Sequence, residues 1–537
     1  MKNNDLNLIC FIMAILMVIQ VKAATSRLTM PESKEFGPLI DTIIIENNNI
    51  FDTDLPRYDT WIYRWANKLH IYTRSYVVSR EVLQKPGEPF SRELADETER
   101  NLRALRFIST ASVEFGIDPS GRNIMRVVTT DVWTLTGGFS VHRNSGEVTY
   151  QLALKETNLL GTGQYIDMNY FFRDFDEDYA HLTFSERRLF GTRHYLELFY
   201  DESPAVGLKA LFFGKPFYSL NSRFQYQLYL ADINRRDDFY SGGKIIGQDD
   251  VSGSEITAHA NYRFGNYSQK VTAGMEISYQ DTRISNRRLY EENLNFAFPS
   301  DSVFWKIEPS AVIGNYHYVK TKRINEIDNI EDIALITSAS VGYGWVIDAG
   351  SGHKLLNHIN ISNRYSAKPG CNYFFMTFDW DWWLDGPVDF RKRQHYSILY
   401  YNNRLPWLTI MMRGSYTRDW RQDDSRALYL GENNGVRGYN KNFQDGDRRF
   451  VFTLENRFFS GLEVFTTHLG VVQFFDMGQS WSSGDEFQVH NMLWSVGAGL
   501  RLGVAKFSGS KVVRVDFAYA GRTKSWQVSF GVGQYMM

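Results

Sequence analysis

Two short segments near the C-terminus hold the residue types with the most specific chemistry to offer. Gly435-Val436-Arg437-Gly438-Tyr439 lies in a polar stretch of loop composition, and Phe474-Phe475-Asp476-Met477-Gly478 closes a run of strand character. An arginine binds a carboxylate through two parallel hydrogen bonds, a planar fit that lysine does not offer. Such a residue holds or switches structure; it does not by itself catalyse. Glycines at 435 and 438 permit the tightly turned backbone that a loop folded into a confined space needs. Catalytic signals are thin: Gly-x-Ser-x-Gly, His-Glu-x-x-His and paired-cysteine metal spacings are all missing. Gly350-Ser351-Gly352-His353-Lys354 lacks phosphate-loop spacing and reads as a hairpin turn. No metal and no cofactor is expected.

The elements that carry these residues read as strands. Asp476 shares a face with Phe474, Val472, Gly470 and His468, opposite Leu469, Val471 and Phe475, because side chains alternate with period 2. From Arg449 to Phe459 one face reads Arg449, Val451, Thr453, Glu455, Arg457, and the other Phe450, Phe452, Leu454, Asn456, Phe458. Glu455 and Arg457 are therefore candidates for a network with Asp476. Downstream, Trp494, Val496, Ala498, Leu500 and Leu502 alternate with Ser495, Gly497, Gly499, Arg501 and Gly503; Val513, Val515, Phe517 and Tyr519 alternate with Arg514, Asp516 and Ala518. Trp526, Val528, Phe530 and Val532 repeat the pattern against Gln527, Ser529, Gly531 and Gly533. Small and polar residues opposite large apolar ones suit a transmembrane barrel with lipid outside and a polar lumen inside. A soluble β-sandwich shows the same period with the faces reversed, so alternation alone leaves both open.

Composition and targeting favour the barrel. The chain is 15% aromatic, carries 41 glycines and has a formal charge of −2. Its mean hydropathy is negative, and beyond the N-terminus no stretch approaches the roughly 18 apolar residues of a membrane helix. Lys2 precedes an apolar run from Leu6 to Val21 that ends in Val21-Lys22-Ala23. Residues 1–23 therefore read as a cleaved secretory signal and 24–39 as a leader. After cleavage Cys371 is the sole cysteine, so no internal disulfide is expected. The near-neutral charge gives no reason to invoke nucleic acid.

Residues 40–130 read as a small α+β module of order β-α-α-β-β. A strand from Ile40 to Glu46 leads to a turn at Asn47 to Asn49, and Val77 to Lys85 reads as a helix stopped by Pro86-Gly87. Ser91 caps a second helix running to about Leu105, with Glu93 near its positive end and Leu94, Thr98, Leu102 and Leu105 inward. Ser109 to Phe115 and Asn123 to Val128 form a hairpin around Asp118-Pro119-Ser120-Gly121. An insertion at 51–76, rich in Trp61, Tyr63, Trp65 and Tyr72, packs on the barrel or a partner, or completes this small core. From Trp133 to the end, residues 133–537 give up to twenty strands, fifteen before the Arg437 loop and five after. Short turns, at 157–163, 190–192 and 214–217, alternate with long polar connections, taken as Ile233 to Glu255 and Asp281 to Ser302.

The order β-α-α-β-β, with SRELADETERNLRALRFISTASV from Ser91 to Val113, resembles a POTRA domain, a periplasmic module of outer-membrane assembly and transport barrels. ETNLLGTG after the second barrel strand, VRGY in the last long loop and FFDMG beyond it then resemble, in that order, the superfamily of BamA, TamA and the two-partner secretion exporters. The resemblance implies sixteen strands, eleven of them before the loop. It implies that Val436, Arg437, Gly438 and Tyr439 fold back into the lumen, and that Arg437 pairs with Asp476 of the Phe474, Asp476, Gly478 strand. It further implies a bacterial outer-membrane protein with its POTRA-like domain in the periplasm, inserting or translocating other proteins without ATP. Its partners would be unfolded outer-membrane or secreted proteins, outer-membrane lipids and accessory periplasmic proteins or lipoproteins. A dedicated two-partner secretion pore is the alternative, although only one module and no plug helix are legible. A passive porin leaves residues 40–130 without a role, and a barrel-type hydrolase would need a site assembled from distant strands. The chain ends Tyr535-Met536-Met537 rather than on an aromatic residue, a departure from the usual terminal signal of such barrels.

Overall fold

The computed structural model describes residues 37–144, 147–173, 177–290, 300–350, 354–384, 392–420, 427–482, 484–508 and 512–535. The expected signal, most of the leader, the centre of the Gly350–Lys354 turn and the last two methionines lie outside the described residues.

At the N-terminal end, β1 (Thr42–Asn48) pairs in parallel with β3 (Asn123–Asp131), which pairs antiparallel with β2 (Ile108–Ile117). Three helices pack nearby: α1 (Trp61–Leu69), α2 (Ser75–Ser79) and α3 (Arg92–Arg103). Ser91 caps α3, its side chain accepting a hydrogen bond from the Leu94 amide at 3.4 Å. Ile40, Val78, Ala95, Leu102, Phe107, Met125 and Val127 make one buried cluster between sheet and helices. The helix expected from Val77 to Lys85 is one short turn, Ser75–Ser79. Beyond it the chain makes tertiary contacts instead: Gln84 accepts from the Ser91 amide at 2.6 Å, and the Leu83 amide donates to Thr98 at 3.2 Å. The insertion, read without structure of its own, contains α1.

Twenty antiparallel strands follow among the described residues and close into a barrel. They are β4 (Leu135–Asn144), β5 (Glu147–Glu156), β6 (Tyr165–Arg173), β7 (Tyr179–Glu186), β8 (Tyr195–Asp201), β9 (Leu208–Lys215), β10 (Phe224–Ser241), β11 (Lys244–Gly265), β12 (Gln269–Leu289) and β13 (Ser302–Thr321). The ring continues with β14 (Glu331–Asp348), β15 (Lys354–Ala367), β16 (Asn372–Leu384), β17 (Lys392–Leu405), β18 (Leu408–Trp420), β19 (Arg448–Val464), β20 (Thr467–Trp481), β21 (Leu493–Val504), β22 (Val512–Ala520) and β23 (Ser525–Val532). Fifteen strands, β4–β18, precede the Arg437 loop, and β19–β23 follow it. The alternation count holds; the sixteen strands implied by resemblance do not.

Large apolar side chains stand exposed all round the outside, among them Leu152, Met168, Leu182, Ile256, Ile277, Trp345, Ile398 and Leu500. An apolar exterior on strands closed into a ring is the transmembrane β-barrel solution. No helix among the described residues is long and apolar enough to cross a membrane.

Turns at the end nearer the small module are mostly short. The far end departs from expectation at Ile233 to Glu255, which is not a loop: β10 and β11 run on to a two-residue turn at Gly242–Gly243. Asp281 to Ser302 is likewise partly strand, with β12 reaching Leu289. These extensions pack one side against the 427–447 loop, burying Phe239, Ile246 and Val251, so pairing persists where the lipid-enforced apolar alternation ends. Charged pairs hold them instead, as Arg236 with Asp250 at 3.4 Å and Arg287 with Asp249 at 2.7 Å.

Candidate functional site: an arginine cluster inside the barrel

The connection between β18 and β19 folds back as a narrow hairpin. Its limbs are joined by Leu428 N to Gly446 O at 2.7 Å and by reciprocal bonds between Leu430 and Gln444 at 2.8 and 3.0 Å. This delivers Val436, Arg437, Gly438 and Tyr439 to the inner wall, all buried. Gly435 (φ +131°) makes the approach possible, because a Cβ there would sit 2.6 Å from Val451 Cγ1. Tyr439 anchors the tip, donating to the Trp494 carbonyl at 2.9 Å and accepting from the Arg522 amide at 3.1 Å.

Arg437 meets Asp476 in the bidentate geometry, Nε to Oδ2 at 2.7 Å and Nη2 to Oδ1 at 2.9 Å, while its own amide also reaches Oδ2 at 3.3 Å. Nη1 reaches Glu455 at 2.8 Å and Asp516 at 3.4 Å. Around this centre Arg457 binds Glu455 at 2.8 Å and Arg501 binds Asp516 at 2.5 Å. Arg437, Arg457 and Arg501 thus face Glu455, Asp476 and Asp516, all six essentially without solvent contact. Balanced charge matters here, since an isolated buried ion costs several kcal/mol and two such charges are tolerable only with close pairing and hydrogen bonds.

Aromatic rings close the remaining faces. The Arg437 guanidinium carbon lies 3.5 Å from the Phe474 ring centre and 4.1 Å from that of Tyr535. A cation between two rings, shielded from water, gains on the order of 1–2 kcal/mol per ring. Phe474 has room because its neighbour is Gly497, where a Cβ would lie 2.3 Å from the ring. Tyr535 is present because the chain leaves β23 at Gly533 and turns inward; its hydroxyl donates to the Glu432 carbonyl at 2.9 Å. Gln534 adds a bond from Arg501 at 3.2 Å.

Asp476, Phe474, Glu455 and Arg457 therefore surround Arg437, and Gly478 backs Leu430 of the loop. Sequence reasoning missed four members. Asp516 and Arg501 were visible as inward positions but had no stated partner, and Tyr535 was read only as a terminal signal. Ile324 was invisible: the β13–β14 turn folds into the lumen from the module end, and its carbonyl accepts from Arg457 at 2.6 Å. Ile327 beside it packs with Phe459 and Val512. Among the described residues no group of His, Cys, Asp and Glu is spaced to hold a metal ion.

Two further features frame the cluster. The small module sits across the adjacent barrel end. Arg103 of α3 binds Asp332 bidentately at 2.7 and 2.8 Å, Glu97 accepts from Leu220 N at 2.7 Å and from Tyr267 at 3.1 Å, and Glu81 pairs with Arg188. The second feature is the closure of the ring, where β23 lies beside β4. Every other neighbouring pair carries a residue-by-residue register; among the described residues this one does not. Trp526 and Phe530 of β23 are 72% and 76% exposed, against 46% for Phe517 on β22, as expected where a neighbour gives little lateral cover.

The fold so defined is a transmembrane antiparallel barrel behind a small α+β module, with a buried arginine cluster on its inner wall. No family model and no curated protein matches the chain. Solved structures similar to it include BamA from Haemophilus ducreyi lacking POTRA domains 1–3, with 11% identity over 91% of this chain and 83% of that one, TM-score 0.36. CdiB from Acinetobacter baumannii is similar at 10% identity over 93% and 74%, TM-score 0.41. CdiB from Escherichia coli is similar at 11% over 99% of both chains, TM-score 0.40.

Proposed function

We propose that the chain is an outer-membrane assembly factor or translocase, with its module in the periplasm and the β23–β4 seam as the exit for client strands. The observation that carries this reading is the unequal barrel wall. From β4 round to β23 the described strands pair residue by residue, while β23 and β4 meet at the closure without such a register and carry Gly531, Gly137 and Gly138. An edge with unpaired backbone groups is a template for an added strand. A client that closes its own ladder in the membrane satisfies those groups and needs no nucleotide. The arginine cluster gives the β19–β22 wall a rigid interior against which the seam opens.

The module order β1-β3-β2 leaves β1 and β2 as sheet edges for an unfolded client segment. Lumen obstruction disfavours a passive porin, because the loop at 427–447 enters from one end and the turn at 322–330 from the other. A two-partner exporter requires that obstruction to clear. Depleting the protein separates these readings: a general fall in membrane barrels supports assembly, whereas one missing secreted protein with barrels unchanged supports the exporter.

A further inference from the structure

Helix α1 has three distinct faces. Tyr63 and Ala66 turn inward onto Ile50, Phe51, Tyr58 and Trp133. At 100° per residue, Trp61, Trp65, Leu69 and Ile62 form one continuous stripe beside that inner face, and Arg64 and Lys68 form the other flank. The stripe is uncovered: Trp61 is 76% and Trp65 60% exposed. An aromatic patch of this kind is not left facing water without a partner.

Its position says what the partner is. The loop just before α1 is fastened to the β19–β20 turn, with Arg57 Nη1 at 3.2 Å and the Tyr58 hydroxyl at 2.9 Å from the Glu463 carboxylate. Glu463 lies between Leu462 and Val464, and Phe465 follows; all three apolar residues are exposed at the module end of the lipid-facing wall. Trp133, on the inner side of α1, bridges to Phe507 in the next such turn, between β21 and β22. The apolar stripe of α1 thus lies at the same barrel end as the exposed Leu462, Val464, Phe465 and Phe507. Tryptophans concentrate at the level of lipid headgroups, where an amphipathic ring has one wet and one greasy side, and flanking basic residues meet lipid phosphates.

We propose that α1 lies in the membrane interface at the module end of the barrel, with Trp61, Trp65, Leu69 and Ile62 in lipid and Arg64 and Lys68 among the headgroups. The helix then tethers the module to the bilayer beneath the strands that lead to the β23–β4 seam. The inference needs only the transmembrane barrel and stands apart from the proposed client chemistry.

The test uses the full chain, with Cys10→Ser and Cys371→Ser, reconstituted in phosphatidylethanolamine–phosphatidylglycerol vesicles and carrying an environment-sensitive fluorophore at Trp65→Cys. Ser120→Cys, at the exposed β2–β3 turn, is the water-side control. Lipids spin-labelled near the headgroup should remove most of the emission at position 65 and leave position 120 unaffected, and iodide should do the reverse. Ile62→Cys gives the same readout if labelling at 65 disturbs the fold. Equal iodide quenching at 62, 65 and 120, without lipid quenching, would overturn the proposal. Shielding from both quenchers would also overturn it, and would point to a second copy or another protein over the stripe.

Discussion

Arg437 and Asp476 are joined through two parallel hydrogen bonds of 2.7 and 2.9 Å, with no solvent contact on either side chain. One residue arrives on a loop and the other on a wall strand, so this contact couples loop position to barrel interior. Replacing Arg437 by Ala leaves Asp476 buried without its arginine and should cost about 3–5 kcal/mol. Lysine supplies the charge without the fork and should recover part of that loss. Cleavage of the loop by added protease, together with single-channel conductance, reads the outcome: both should rise in R437A and rise less in R437K.

Tyr535→Ala should act in the same direction and more weakly. It removes one ring from the guanidinium and the hydrogen bond to Glu432, a loss of about 1–2 kcal/mol. Loop cleavage intermediate between wild type and R437A is the expected result. Tyr535→Phe, which keeps the ring, should lie close to wild type.

The module contains a second buried pair with opposed responses to pH. His70 donates Nδ1–H to Asn49 at 3.1 Å, which leaves the Nε2 lone pair facing Asp131 at 3.5 Å. Burial lowers His70 to about 4 and raises Asp131 to about 6. The histidine contribution is fully present above its ordinary value near 6.5 and is lost as pH falls through about 4. The aspartate contribution is fully present below its ordinary value near 3.8 and is lost as pH rises through about 6. Between pH 4 and 6 the two nearly cancel, so wild-type module stability should be flat. Each shift is worth about 3 kcal/mol. Asp131→Asn should therefore lose stability on acidification from pH 6.5 to 4, and His70→Gln should lose it on raising pH from 4 to 6. Pulse proteolysis of the module in urea, on the full chain at several pH values, resolves the two opposite slopes.

Docking of the module rests on α3. Arg103→Ala strands Asp332 at the barrel rim and should cost about 3 kcal/mol of docking. Spin labels on Ser120→Cys and on a far-end turn should then report a broadened distance distribution, where the wild type gives one narrow peak.

What the chain disclosed and what it hid have separate physical causes. Inward-facing Asp476, Glu455 and Arg457 were legible because period-2 alternation is enforced by lipid on one side, and twenty strands could be counted for the same reason. Above the belt that constraint ends, and β10 and β11 looked like loop although Arg236 and Asp250 pair across them. The short α2 was overextended because Gln84 and Leu83 bond to α3, a tertiary choice that local propensity does not encode. Ile324 reaches Arg457 through its carbonyl oxygen, and backbone atoms leave no mark in residue type. Tyr535 was ambiguous because a terminal aromatic residue serves a ladder end or a lumen ring equally well.

The central claim is that the barrel works by parting β23 from β4. A cysteine at one of positions 137–140 paired with one at 527–530, in the Cys10→Ser, Cys371→Ser background, should give at least one combination that crosslinks on oxidation. Insertion of a client barrel into vesicles is then measured before oxidation, after it and after reduction. The account predicts that the locked protein stays folded, as judged by heat-modifiable gel mobility, but loses insertion activity, which returns on reduction. A locked barrel that inserts clients at the unlocked rate would contradict it.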